Sequence, residues 1–526
     1  MQGPIVTWLR QGSAGGGIRQ AGLVGSRPWL ARALAFASGA VLPLAYAPFG
    51  VWPLAVVSVA VLFALWAQAG PRQAASLGYL FGLGQFGIGV SWVYNSIHLF
   101  GQAVAPLAGV VTLAFVLVLA LFPALVGWLV RRVPAPSMGW QLVVVMPATW
   151  TLVEWLRGWF LTGFPWLLLG QSQVDSWLVG TAPIVGVYGV SWLVALSAGL
   201  LVLAGVAGLG TRAVAGIALA GIWLSSGLLA DMSWTRPAGE PLRAALVQGN
   251  VAQEDKMQPD QMGPTLSRYA SLSRPHWGDT DLVVWPETAV PTFYSDVAEG
   301  FLEPLAAEAR NQGSDLLVGV FAYDAGQGEI YNSLMVPGAD PARYDKRHLV
   351  PFGEYIPLRE LVSGLGQWLR VPMSDLAAGR GRPLLEAAGR PLGVSICYED
   401  AFGEEVIDAL PRAELLVNVS NDAWFGDSIA PHQHLEIARM RAVETGRDML
   451  RSTNTGISAV IGANGQIVAR APQFETHVLT GSVQPREGAT PYVRLGNIPV
   501  AGLSALLLVA TPGLARLRRR SPGART

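Results

Sequence analysis

The sequence predicts a multi-pass α-helical membrane domain of eight transmembrane helices joined to a layered α/β domain. Three observations predict it. The chain is 51% hydrophobic and only 14% charged, where an ordinary soluble domain carries about 25% charged residues. Acids and bases are sparse from Leu30 to Ala230 and dense from Arg243 to Arg486, which separates an apolar part from a water-soluble one. The apolar runs also change character, from stretches of about 20 residues, enough to cross a bilayer, to short Val- and Leu-rich runs bounded by turn residues. Net charge is zero, with 36 basic and 36 acidic residues, so no nucleic acid is expected as a partner.

Residues 1–29 are Gly-rich and weakly basic ("GSAGGGIRQAG") and read as a flexible cytoplasmic tail. The first span is expected to remain as an anchor, although "LAFASGA" mimics a cleavage site. Spans are predicted near 31–49, 51–69, 75–95, 103–130, 139–157, 183–206, 212–231 and 493–514. The prolines and glycine of "APFGVWP" separate the first two. Segment 158–182 is apolar but interrupted, and is expected at the interface with Trp159, Trp166 and Trp177 at headgroup depth. Glu154 and Arg157, at the end of the fifth span, are expected to pair or to meet a headgroup. The domains are therefore 1–29 (tail), 30–231 (seven helices), 232–490 (water-soluble α/β domain), 491–515 (eighth helix) and 516–526 (basic cytoplasmic tail).

Orientation follows from arginine. With the N-terminus inside, Arg10, Arg19, Arg27, Arg72, Arg131, Arg132, Arg212, Arg516, Arg518, Arg519 and Arg520 all face the cytoplasm, and the opposite loops keep little beyond Arg157. The segment before the last span then lies outside, in the periplasm of a bacterium. Its runs "LRAALVQGNV", "DLVVWPETAV", "SDLLVGVFAY", "YNSLMVPG", "RPLGVSICYED" and "AELLVNVSNDAW" read as strands. "DVAEGFLEPLAAEARNQG" and "HQHLEIARMRAVETGRDML" read as helices between them.

Three residues at strand ends carry chemistry. Glu287 follows "DLVVW". Lys346 sits in "RYDKRHLVPFGEY". Cys397, the single cysteine, ends "LGVSI" before the expected helix "EDAFGEEVIDAL". An isolated cysteine is commonly an inert buried hydrophobe, but a helix N-terminus favours its thiolate. Glu287 can take the proton of such a nucleophile, and Lys346 can stabilise a tetrahedral oxyanion together with the N–H of Tyr398. Lysine is rare here: Lys256 and Lys346 are the two in the chain.

"WPET", "YDKRHLVPFGEY" and "GVSICYED", with Glu287, Lys346 and Cys397 spaced 59 and then 51 residues apart, resemble the Glu–Lys–Cys triad of the nitrilase (carbon–nitrogen hydrolase) superfamily. More narrowly, "VQGN", "PFGEY", "CYE" and "NDAWFGD", with the spans around them, resemble the apolipoprotein N-acyltransferase family over residues 30–515. The resemblance implies a nitrilase-like α-β-β-α sandwich and ping-pong acyl transfer. The sn-1 chain of a phospholipid, phosphatidylethanolamine typically, passes to Cys397 as a thioester. It then passes to the amine of an S-diacylglyceryl-cysteine at an apolipoprotein N-terminus. The resemblance further implies a monomer in the inner membrane, with no metal or cofactor.

Also on the strength of the resemblance, Glu354 in "PFGEY" and Glu399 in "CYED" support the triad or hold a loop by ion pairing. Trp424 and Phe425 shape the mouth of the site or belong to the core. Met257 stands where the family commonly has tryptophan. In 356–376, Leu361, Leu365, Trp368 and Leu369 recur at helical spacing beside Arg359 and Arg370, as an interfacial lid would require or a helix packed on the sheet. His432 and His434 have the spacing of residues that point apart on a helix, so no metal site is expected. Two other functions fit less of the chain: a membrane-tethered nitrilase-like amidase hydrolysing a small amide, and a transporter or scaffold with an inactive outer domain.

Overall fold

The computed structural model describes residues 22–356 and 375–520. The predicted lid residues Leu361, Leu365, Trp368 and Leu369 lie outside the described residues. The described residues of 22–91, 109–232 and 497–520 form one compact unit, and those of 92–108 and 233–496 another.

The first unit is helical. Among the described residues, five helical stretches are long and apolar enough to cross a membrane: Pro28–Ala45, Ala105–Val130, Trp177–Val206, Leu209–Ala230 and Ile498–Arg518. Helix Pro53–Gln68 is apolar but shorter. Helix Pro71–Gly89 is rich in glycine because its neighbours cross it at backbone distance: a Cβ on Gly78 or Gly84 would collide with main-chain atoms of Pro123 or Phe36. In segment 158–182, Trp159 and Trp177 are exposed, but Trp166 is buried at 1%. The expectation that all three tryptophans lie at headgroup depth is corrected for Trp166. Arg157 explains it: Nη1 donates to the carbonyls of Phe164 (2.6 Å) and Trp166 (2.7 Å), and Glu154 accepts from the Leu169 N–H at 2.9 Å. Both charged side chains are buried and tie this segment to helix Met146–Arg157.

Among the described residues, the second unit holds two large sheets and one antiparallel two-stranded pair, Arg236–Pro237 with Arg486–Glu487. The strands of the large sheets are β1 (Leu242–Gln248), β2 (Leu282–Val284), β3 (Val290–Phe293), β4 (Asp315–Asp324), β5 (Glu329–Val336), β6 (Ala342–Asp345), β7 (Leu384–Ala387), β8 (Arg390–Ile396), β9 (Leu415–Ser420), β10 (Met449–Thr453), β11 (Ala459–Ile461), β12 (Ile467–Arg470) and β13 (His477–Val483). One sheet runs β13-β1-β2-β4-β5-β6, with β3 beside β4; the other runs β12-β11-β10-β9-β8-β7. Parallel pairs β1–β2–β4 and β8–β9–β10 form the middle of each sheet.

Period-two alternation builds the layers. Leu242, Ala244 and Leu246 of β1 face an apolar core shared with Val394, Ile396, Val417 and Val419 of the other sheet. Ala245 and Val247 face outward onto Tyr269 and Leu305 of helices Pro259–Ser273 and Glu303–Asn311. Leu416 and Met449 face Leu435, Ala438 and Ala442 of helix Ala430–Thr445. The result is four layers, helix, sheet, sheet, helix.

Two elements differ from the sequence prediction. The helix read through "RDML" stops at Thr445, because Gly446 takes a left-handed φ of 62° as its C-cap, and the chain then enters β10. The helix expected from Glu399 onward is a 3₁₀ turn, Cys397–Ala401, followed by the four-residue helix Gly403–Val406. Such short pieces sum few peptide dipoles.

Candidate active site

Functional side chains gather at strand ends: three follow parallel strands, where α/β sheets leave a crevice, and Lys346 follows the antiparallel β6. Glu287 lies just past β2, Lys346 directly past β6, Cys397 directly past β8 and Asn421 directly past β9. The Glu287 loop is held from behind by β4. A Cβ on Gly319 would collide with the Pro286 carbonyl oxygen and fall 2.8 Å from Glu287 Cα. Thr288 takes a positive φ of 50° and Cys397 one of 53°. Non-glycine residues rarely hold such values, and they concentrate at functional sites.

Lys346 is 1% exposed. Its Nζ lies 3.2 Å from Glu287 Oε1 and 2.9 Å from Glu354 Oε1. Asn332 Nδ2 donates to the same two oxygens, at 2.8 and 3.2 Å. Glu287 Oε2 accepts from the Asn421 N–H at 2.8 Å, and Glu354 Oε2 from the Val350 N–H at 2.8 Å. Burial works against the Lys346 ammonium, but Glu287 and Glu354 hold it well above the ordinary lysine range. It is a permanent cation.

Cys397 is buried at 8%. Burial pushes its thiol up, the Glu287 carboxylate adds to that, and Lys346 opposes it. That direction is opposite to the one expected from a strand-to-helix junction, and the turn that follows is too short to supply a strong dipole.

Glu399 braces the elbow, the sharp turn at Cys397 between β8 and the 3₁₀ turn Cys397–Ala401. Its Oε2 accepts from the Ile396 N–H at 2.7 Å. Its Oε1 accepts from the Arg347 N–H at 2.6 Å, the Tyr344 hydroxyl at 2.8 Å and the His348 N–H at 3.2 Å. It fixes the loop after Lys346 through main-chain donors and makes no hydrogen bond to the Glu287–Lys346–Glu354 cluster. Tyr398 packs edge-on to Phe402 at 5.0 Å.

Beneath the elbow lies a closed ring of charge that sequence reasoning missed. His434 Nδ1 meets Asp422 Oδ1 and Nε2 meets Asp400 Oδ1, both at 2.9 Å. Arg451 meets the other oxygens of the two aspartates at 3.0 and 3.2 Å. The Cys397 carbonyl accepts from Asn418 Nδ2 at 3.2 Å and lies 3.3 Å from His434 Nε2. Burial and Arg451 act against the imidazolium, but Asp400 and Asp422 raise His434 to about 9.

Trp424 and Phe425 are packed by residues 92–100. Ser96 Oγ donates to the Trp424 carbonyl at 2.8 Å, and the rings of Trp92 and Phe425 lie 4.8 Å apart. Met257 is 52% exposed, whereas its neighbour Lys256 is buried at 2% with Nζ 3.0 Å from the Glu287 carbonyl. Trp368 lies outside the described residues. Of the residues that sequence reasoning passed over, Lys256 left a signal: it is the second lysine of a chain whose bases are otherwise arginine.

A buried carboxylate, ammonium and thiol at the strand ends of a four-layer sandwich define a carbon–nitrogen hydrolase domain, and residues 243–492 match that family. Residues 38–200 match the apolipoprotein N-acyltransferase N-terminal domain. The chain is 51% identical over 488 residues to the apolipoprotein N-acyltransferase of Methylococcus capsulatus, covering 93% of this chain and 96% of that one. It is 45% identical over 507 residues to that of Azotobacter vinelandii (94% and 97% covered) and 43% identical over 495 residues to that of Pseudomonas aeruginosa (92% and 96% covered). The chain belongs to the apolipoprotein N-acyltransferase family and is an acyltransferase.

Proposed function

We propose that this protein moves the sn-1 acyl chain of a phospholipid, phosphatidylethanolamine foremost, onto the α-amine of an S-diacylglyceryl-cysteine at an apolipoprotein N-terminus. The thiol of Cys397 gives its proton to Glu287 as its sulfur attacks the ester carbonyl. Lys346 and the Tyr398 N–H stabilise the oxyanion. Glu287 returns the proton to the departing glycerol oxygen, leaving a lysophospholipid and a thioester. The acceptor amine then attacks the thioester, its proton passes by way of Glu287 to the sulfur, and an amide forms. Glu354 keeps Lys346 in place.

The membrane arrangement belongs to the same proposal. It comprises eight spans, cytoplasmic tails at 1–29 and 516–526, seven helices in 30–231, the catalytic domain of 232–490 in the periplasm and the last helix at 491–515, all in a bacterial inner membrane. Support comes from the arginine distribution and from the family. The observation that carries the chemistry is Lys346 Nζ held between Glu287 and Glu354 at 3.2 and 2.9 Å with a buried thiol facing them.

Incubating the purified chain with labelled phospholipid and measuring its intact mass tests this. We expect one acyl group on Cys397, removed by a diacylglyceryl lipopeptide with formation of an N-acyl product, and no adduct on Cys397→Ala. Release of the chain to water alone, with no amide product, would support the amidase alternative.

A further inference from the structure

Lys256 ends the short helix Gln253–Lys256 and the reaction described above does not use it. Its side chain is 2% exposed, and its Nζ donates to the main-chain carbonyl of Glu287 at 3.0 Å. The same helix is fastened to the site a second time. Gln253 Oε1 accepts from Asn421 Nδ2 at 2.7 Å, while the Asn421 N–H holds Glu287 Oε2. An ammonium is strongly hydrated, and removing it from water is costly unless charge or several acceptors compensate. One neutral carbonyl is small compensation. The ionisable groups that act on it are Glu287 and Cys397, and Lys346 lies 3.2 Å from the same Glu287 carboxylate. Glu254 and Asp255 of its own helix are exposed. Both lysines of the chain therefore converge on one carboxylate and one thiol.

We propose that Lys256 is a further positioning residue of the acyl transfer: its hydrogen bond fixes the Glu287 loop, and its ammonium charge, which a neutral amine lacks, offsets the negative charge that forms when Cys397 attacks. The inference rests on Cys397 being the nucleophile. Burial lowers Lys256 to about 8, with Glu287 and Cys397 pulling it back upward. Lys346 is held well above its ordinary range by its two carboxylates and stays charged throughout. The two lysines thus divide the work: one is a fixed cation, and the other is lost just above neutral pH.

The first half-reaction isolates the effect, because it contains no acceptor amine whose own titration near pH 8 would confuse the result. The rate of Cys397 acylation by phosphatidylglycerol, whose headgroup carries no amine, is measured from pH 6 to 10 in single turnover, by intact mass, on the full chain in detergent. The wild-type rate is expected to fall above pH 8, at least tenfold by pH 10. Direct ionisation of Cys397 would instead make it rise. K256M is expected to be at least tenfold slower at pH 7 and to lack the fall near pH 8. K256R, whose charge persists, is expected to acylate at pH 9.5 as fast as at pH 7. A wild-type rate in K256M at pH 7, or a wild-type fall near pH 8 in either variant, overturns the proposal. K256R alone decides the matter if K256M does not fold. Absence of any adduct on the wild-type chain is a different failure: it removes Cys397 as nucleophile and this inference with it.

Discussion

The ring beneath the elbow makes stability depend on pH with a definite sign. His434, Asp400, Asp422 and Arg451 are each at most 1% exposed in their side chains. Folding surrounds the imidazole with two carboxylates and raises it to about 9 from an ordinary 6.5. The folded chain therefore binds a proton that the unfolded chain releases above pH 6.5. This stabilisation is complete below 6.5 and is lost as pH rises through 9. A shift of this size corresponds to about 3 kcal/mol. Lys256 acts with the opposite sign. Its folded value of about 8 lies below the ordinary 10.5, so its contribution grows from pH 8 to 10.5. The wild-type curve mixes the two, whereas the difference between wild type and His434→Gln isolates the ring, because Lys256 is common to both. Denaturant unfolding of the full chain in detergent, at pH 6 to 10, measures it. The difference should shrink by about 3 kcal/mol between pH 6.5 and 9.5, and Asp400→Asn should move that loss to lower pH. A difference that stays flat across this window would show that His434 is neutral in the fold and would sink the ring as described.

Glu354→Gln leaves Lys346 with Glu287 as its carboxylate partner and turns an amide N–H toward either Lys346 or the Val350 N–H, both of which are donors. Loss of one charged hydrogen bond is worth about 2 kcal/mol, so Cys397 acylation should slow about thirtyfold; a change under threefold would show that Glu354 does not hold Lys346. Gly319→Ala drives a methyl into the Glu287 loop. It should lower stability by about 1–3 kcal/mol and abolish adduct formation, and an unchanged acylation rate would mean that β4 does not set the position of Glu287.

The positions of Glu287, Lys346 and Cys397 were legible because each closes or follows a short apolar strand and sits in a motif of its own. The layers were legible where alternation is clean, as in Leu242, Ala244 and Leu246. Strand β10 was hidden because Met449 and Leu450 were read into the preceding helix, and the buried polar residues Arg451, Ser452 and Thr453 extend no apolar run; Gly446, a C-cap signal, marked the true boundary. The charge ring left no local trace. Asp400, Asp422, His434 and Arg451 lie 12 to 51 residues apart along the chain, and no periodicity joins them. Trp166 misled for a different reason: aromatic residues in an apolar, broken segment suggest an interface, but the buried Arg157 beside it needs main-chain carbonyls and draws that segment inward.

Charge balance links the two clusters to the proposed reaction. Above the elbow, Lys346 and Lys256 face Glu287 and Glu354 with the thiol neutral; below it, His434 and Arg451 face Asp400 and Asp422. Each group sums to zero near neutral pH. Transfer of the thiol proton to Glu287 leaves that sum unchanged, because one carboxylate is neutralised as one negative charge passes through sulfur to the substrate oxygen. What changes is position: the negative charge leaves a carboxylate already paired with Lys346 and arises on the reacting atoms. A fixed cation close to both positions stabilises the second state without a large penalty in the first. A preformed thiolate would place an extra anion beside Glu287 in the resting site, and the raised thiol shows the fold disfavouring it. In the proposed reaction, proton transfer and attack are therefore concerted. It follows that thiol-directed alkylation of Cys397 without substrate should be slow at the same neutral pH at which the enzyme supplied with substrate turns over.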